Sequence, residues 1–158
     1  FARRPTANFQ EGDLNALVSA TVAPFAENNP TVVFQVITER RLPALMFDPE
    51  QLRGVLINLL DNAVAAAMSD EGVRRRASGE QPRITVRTGY DRRRKVASLE
   101  VADNGPGVKP SDRVRIFEPY FTTKQGGTGL GLAVVTSVIS DHQGEIRLYD
   151  NNPHGAKF

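Results

Sequence analysis

The stretch Thr122-Thr123-Lys124-Gln125-Gly126-Gly127-Thr128-Gly129-Leu130-Gly131-Leu132 constrains this chain more than any other. It packs four glycines, three threonines and a lysine into eleven residues, then runs directly into the apolar periodicity of a helix. Glycine permits positive φ and close backbone approach, so consecutive amides at a helix N-terminus can converge on an anion. The stretch therefore reads as a phosphate cradle. Spacing excludes two common phosphate loops. Gly126 and Gly131 have the Walker A separation, but Leu132 stands where that motif needs Lys. Gly127 and Gly129 supply only part of a dinucleotide fingerprint, and no strand directly precedes them.

The chain's 158 residues, 40% hydrophobic and 24% charged, suit one domain with a real core. No apolar run approaches the roughly 20 residues of a membrane helix, and no signal peptide opens the chain, so what is present is expected to be soluble. Zero Cys excludes a disulfide framework and thiolate metal sites, and two His leave little for zinc. The net charge of +2 hides basic runs at Arg74-Arg75-Arg76 and Arg92-Arg93-Arg94-Lys95. Both fall between predicted elements without interleaved aromatics, so they read as solvated loop charge and not as a nucleic-acid surface.

Residues 1–12 show no clear periodicity and read as a connection from something upstream. Asp13 caps a predicted helix with Leu14, Leu17, Val18, Val22 and Phe25 on one face, which Pro24 should kink or restart. Short strands are expected over 31–38 and 44–47. Asp48-Pro49-Glu50 then starts the longest helix, whose apolar face runs through Leu52, Val55, Leu56, Leu59, Ala63 and Ala66 to about Met68. The polar segment 69–82 reads as a mobile loop. Residues 83–89 and 96–102 read as an antiparallel pair joined by the charged turn at 91–94. Ser111 is expected to cap a short helix through Phe117, stopped by Pro119. Thr128 is expected to cap the next, with Leu130, Val134, Val135 and Val138 inward and Gly144 at its C-terminus. A strand over 145–149 and the start of another at 156–158 complete an α/β two-layer sandwich: a mixed, mainly antiparallel sheet with helices on one face.

Asn58 and Asn62 lie about 40° apart on the long helix, beside its apolar stripe. Their carboxamide oxygens suit a Mg²⁺ that already holds phosphate oxygens and waters, although buried asparagines also serve simply to satisfy helix-edge groups. Asp103-Asn104-Gly105-Pro106-Gly107 ends a predicted strand. A carboxylate there can accept the amino hydrogen of adenine while glycines let a ring approach the backbone, though the string is also a plain turn.

The four signals together carry more. Asn58-Leu59-Leu60-Asp61-Asn62-Ala63, Asp103-x-Gly105-x-Gly107, Phe117-Glu118-Pro119-Tyr120-Phe121 and Gly127-Thr128-Gly129-Leu130-Gly131-Leu132 stand in this order. They resemble the N, G1, F and G2 boxes of the ATP-binding catalytic domain of sensor histidine kinases, in the superfamily shared with gyrase, Hsp90 and MutL. Gly155-Ala156-Lys157-Phe158 is similar to the start of the third glycine box. Phe1-Ala2-Arg3, Phe121-Thr122-Thr123-Lys124 and Asp141-His142-Gln143-Gly144-Glu145 resemble nitrogen-regulation kinases of the NtrY and NtrB type.

The resemblance implies the Bergerat fold with ATP and Mg²⁺ as cofactors, and a mobile ATP lid over 119–128. By position it makes Asn62 the metal ligand, Asn58 its partner near the phosphates, and Asp103 the adenine-binding residue. Gly105 and Gly107 belong to the same turn. Val108, Ile116, Leu130 and Leu132 are candidates for the adenine pocket or its cover. Gly127, Thr128, Gly129 and Gly131 form the lid hinge, and Lys124 places a charge near the terminal phosphate. Residues 1–12 would then be a linker and 13–158 the catalytic domain, its last strand cut short. The phosphoryl acceptor would be a histidine on a separate dimerisation domain, with a response regulator downstream. The isolated domain would be monomeric and cytoplasmic, and the full-length protein homodimeric, with anchoring in a bacterial inner membrane open. An ATPase that moves partners and a non-catalytic nucleotide sensor remain alternatives.

Three departures bear on this reading. Asn58 replaces the water-activating glutamate of hydrolytic relatives, which favours transfer over hydrolysis. Val64-Ala65-Ala66-Ala67 replaces a basic or aromatic phosphate contact. Neither His142 nor His154 lies in an acceptor box, and His142 reads as a helix-end residue facing the negative dipole.

Overall fold

Two local capping signals set the helical layer. In the computed structural model, which describes residues 6–122 and 131–158, the Asp13 carboxylate accepts from the Ala16 N–H at 3.1 Å and starts helix α1 (Leu14–Asn28). Leu14, Val18 and Val22 form its buried stripe, and the helix continues through Pro24. The Asp48 carboxylate likewise accepts from Gln51 N–H at 3.1 Å at the start of α2 (Pro49–Met68). Its buried face is Val55, Leu56, Leu59, Leu60, Ala63 and Ala67. Leu56 and Leu60 are fully buried, each contributing about 1.5–3 kcal/mol of apolar transfer free energy.

β1 (Gln10–Gly12) precedes α1, and β2 (Val33–Ile37) and β3 (Leu45–Phe47) lie between the two helices. After α2 come α3 (Asp70–Arg75), β4 (Arg83–Asp91), β5 (Val96–Asp103), two 3-10 turns (Pro110–Asp112 and Arg115–Phe117), α4 (Gly131–Asp141), β6 (Tyr149–Asp150) and β7 (Ala156–Lys157). The main sheet has the order β2-β4-β5-β7-β6. β2 pairs parallel with β4, and the other pairs are antiparallel. Ile84, Val86 and Val101 face the helices and are buried. The opposite face carries Arg83, Arg87, Glu100 and Lys157. The expected mixed, mainly antiparallel sheet with helices on one face is what forms.

Several local expectations are corrected. Gln10–Gly12 is a strand paired with β3, so this end of the chain belongs to the folded unit; a three-residue strand is too short to show a period. The 69–82 segment is not simply a loop. Ser69 Oγ accepts from Gly72 N–H at 3.0 Å and caps α3, whose first turn carries Asp70 and Glu71 and whose last turn carries Arg74 and Arg75. These charges complement the helix dipole. Ser111 lies inside a 3-10 turn and does not cap a longer helix; neither turn has a side-chain cap. At the end of α4 the left-handed residue is Gln143 (φ 59), while Gly144 N–H reaches back to the Ile139 carbonyl at 2.9 Å. Strand structure expected over 145–149 is confined to Tyr149–Asp150.

Candidate functional site

The site is built where α2 meets three turns. Asn58 and Asn62 are both half-buried. Asn58 Nδ2 donates to the Gly54 carbonyl at 3.1 Å, which fixes the amide and leaves Oδ1 to face the start of α4. There a Cβ on Gly131 would lie 3.1 Å from Asn58 Oδ1, so glycine allows α4 to begin directly against this asparagine. No hydrogen bond from the described residues engages the Asn62 side chain. Leu132, next on α4, is half-buried against the core.

One turn beyond Asn62, the backbone of Ala66 receives the Asp103–Gly107 turn. A Cβ on Gly105 would lie 2.6 Å from the Ala66 carbonyl oxygen, a contact no side chain tolerates. Gly105 thus serves close helix–turn packing. Gly107 has φ +80, where glycine is strongly favoured. Gly155 has φ +111, and a Cβ there would fall 1.9 Å from the Asp103 carbonyl oxygen. Val108 and Ile116 are half-buried downstream of the turn.

Asp103 is 4% exposed. Its Oδ1 accepts from Gly105 N–H at 2.8 Å and from Ala156 N–H at 3.3 Å. Burial pushes the carboxyl up to about 6; the two backbone donors and the nearby His154 pull it down less strongly. Both donors go to Oδ1, so Oδ2 is the oxygen open to a ligand. A buried carboxylate at a strand end can accept a hydrogen bond from a ligand amine. The carboxamide oxygens can ligate a hard cation.

The structure thus places Asn58 against Gly131 at the start of α4, and the Asp103–Gly107 turn against α2 one helical turn beyond Asn62. Lys124, Gly127, Thr128, Gly129 and Leu130 lie outside the described residues, as does most of the expected lid. Sequence reasoning missed the support behind Asp103. Asn151 Nδ2 donates to the Asp103 carbonyl at 2.7 Å, and the side chains of Asn104, Glu80 and His154 surround the same turn. Arg76, expected to be solvated, is 9% exposed and donates to the Ala67 carbonyl. His142 Nε2 accepts from Asp48 N–H at 3.1 Å while Nδ1 faces the Val138 carbonyl at 2.8 Å. With Nε2 as acceptor, Nδ1 is the nitrogen that donates to the Val138 carbonyl, which holds the ring at the end of α4 as a helix-end residue. No helix among the described residues is long and apolar enough to cross a membrane.

Residues 47–158 match the family described as histidine kinase-, DNA gyrase B-, and HSP90-like ATPase. The chain belongs to that family. It is 36% identical to the signal transduction histidine-protein kinase AtoS of Escherichia coli K12, over all of this chain and 24% of AtoS. It is also 36% identical to the nitrogen regulation protein NtrY of Azorhizobium caulinodans, over 95% of this chain and 18% of NtrY. The chain therefore spans a quarter or less of the length of these relatives. Among solved structures, the nucleotide-free catalytic domain of the histidine kinase ThkA aligns with a TM-score of 0.78 and 28% identity, covering 96% of this chain and 92% of that one. The expected Bergerat architecture and the resemblance to histidine kinase catalytic domains both hold. The likeness to NtrY is shared with AtoS.

Proposed function

We propose that this chain binds Mg-ATP between α2, the Asp103–Gly107 turn and the start of α4, and presents the terminal phosphoryl group to a histidine on a separate dimerisation domain. The observation that carries the reading is Asp103: a buried carboxylate whose Oδ1 takes both backbone donors, in a turn packed on α2 one helical turn beyond Asn62. The residues fit the cofactors. Oδ2 of Asp103 would accept the exocyclic amine of adenine, and the Asn62 amide oxygen, which no described residue engages, would serve the cation.

Bound Mg-ATP supplies the phosphoryl group and most of the neutralising charge. The protein's part is positioning. Asn58 is tied to the Gly54 carbonyl and, as an amide, removes no proton from water. That favours transfer to a protein acceptor over hydrolysis. Lys124 and the glycines around it supply the charge and hinge of the covering segment. Residues ahead of Asp13, the last of them paired with β3, lead in from the dimerisation domain, and a response regulator takes the phosphoryl group onward. The full-length protein is a homodimer.

The experiment is transfer from radiolabelled ATP to a supplied dimerisation domain. Labelled histidine supports the reading. Brisk steady-state hydrolysis by this chain alone, with no labelling, overturns it in favour of the ATPase alternative.

A further inference from the structure

The segment joining α2 to β4 is built into the molecule, although its composition is that of a solvated loop. It leaves α2 through Ser69, whose Oγ donates to the Ala66 carbonyl at 2.8 Å while accepting from Gly72 N–H. A Cβ on Gly72 would lie 2.5 Å from that same carbonyl oxygen, so α3 is pressed onto the end of α2. Arg76, buried, returns to the Ala67 carbonyl. Ala66 is also the residue that receives Gly105. The end of α2, segment 69–83 and the Asp103 turn are therefore one packed unit.

Asn104 joins them. It is 7% exposed and spends every hydrogen-bonding group of its side chain on this segment. Oδ1 accepts from Arg83 N–H at 2.8 Å, and Nδ2 donates to the Gln81 carbonyl at 2.9 Å and to Glu80 Oε1 at 3.2 Å. Only an amide of this length offers two donors and an acceptor here; aspartate lacks the donors and alanine lacks all three. The other Glu80 oxygen, Oε2, accepts from Ala77 N–H at 3.1 Å and lies 3.6 Å from His154 Nε2. His154 Nδ1 faces the Gly105 carbonyl at 3.4 Å. Asn104, Glu80, His154 and Gly105 thus close a ring around the Asn104–Gly105 peptide. That peptide supplies the Gly105 N–H on which the buried carboxylate depends, and a displacement of about 1 Å would break the bond.

We infer that Asn104 and Glu80 are positioning residues that hold the Asp103 carboxylate in its ligand-binding orientation, so that segment 69–83 sets the affinity and base selectivity of the site. The inference rests on the nucleotide reading of Asp103 and goes beyond it. Neither side chain touches the base; both act through the turn.

The test is calorimetric titration of ATP and GTP into the wild type, Asn104→Ala, Asn104→Asp, Glu80→Gln and the double variant Asn104→Asp/Glu80→Gln, each checked for folding by circular dichroism. Asn104→Ala should weaken ATP about tenfold and GTP less, so the ATP preference falls. Asn104→Asp should do at least as much, because it sets two carboxylates against each other. Adding Glu80→Gln should then restore at least threefold of the lost affinity, since the new amide donates to the new carboxylate, whereas Glu80→Gln alone should weaken ATP about threefold. This reversal of sign is not produced by general destabilisation. Wild-type affinity and selectivity in folded Glu80→Gln and Asn104→Asp overturns the inference even if Asn104→Ala does not fold. Asp103→Asn is the control: if it leaves ATP affinity unchanged, the nucleotide reading itself fails. Its loss of binding beside silent Asn104 and Glu80 variants overturns the positioning role alone.

Discussion

Two buried aspartates, each accepting backbone N–H bonds, have carboxyl pKa values displaced in opposite directions. Asp48 is 7% exposed and Asp103 4%. At Asp48 the donors are divided: Asn8 N–H reaches Oδ2 at 2.8 Å and Gln51 N–H reaches Oδ1 at 3.1 Å. Those bonds, Asn8 first, hold its carboxyl below the usual carboxylate range despite burial. At Asp103 both donors crowd onto Oδ1, and burial prevails. Asp48 is satisfied by its own fold and works as a helix cap. Asp103 is left with an acceptor to offer, and that difference separates a structural carboxylate from one ready for a ligand.

The sharpest way to break the Asp103 half of the comparison is Gly155→Ala. Positive φ strain plus a Cβ overlapping the Asp103 carbonyl should cost about 3 kcal/mol or more in chemical denaturation, and nucleotide binding should go with it. Next is Asp103→Asn, which keeps an acceptor for Gly105 and Ala156 but loses the charge. ATP binding should weaken by about 1.5–3 kcal/mol, read by calorimetry.

Stability of the ligand-free protein should move the other way. The folded pKa of Asp103, about 6, lies above the ordinary aspartate value of 3.8. Its contribution to stability is therefore full below the unfolded pKa and is lost as pH rises through about 6, amounting to up to about 3 kcal/mol. Melting curves from pH 4.5 to 7 should show this decline in the wild type and its absence in Asp103→Asn. The smallest effect is expected at Asp48→Ala: a loss of about 1 kcal/mol at pH 7 from the missing cap, with ATP affinity unchanged. Here the folded pKa is depressed, so Asp48's contribution is present above the unfolded value and disappears in acid. A nucleotide defect in Asp48→Ala would erase the distinction between the two residues.

What the sequence made legible is what short range determines. Asp13 and Asp48 were readable as caps because each bond closes within three residues. The β4–β5 pair was readable from the Asp91 turn, where the carboxylate accepts from Arg93 and Arg94 N–H. Asn58 and Asn62 shared a face by helical spacing alone. The support of Asp103 was hidden because Asn104 finds its partners 21 to 24 residues away. Arg76 was misplaced for a similar reason: a charged run looks solvated until a helix end nine residues earlier offers a carbonyl. Gln143 took the left-handed position expected of a glycine because the chain had to turn one residue sooner.

The bond from Ala156 N–H to Asp103 spans 53 residues. During synthesis at about 5–20 residues per second, Asp103 exists for several seconds before that second donor is made. The two asparagines of α2 are synthesised earlier still. A nascent chain halted ahead of β7 would therefore carry both asparagines of α2 and the aspartate but lack one of the two backbone donors on which that carboxylate rests.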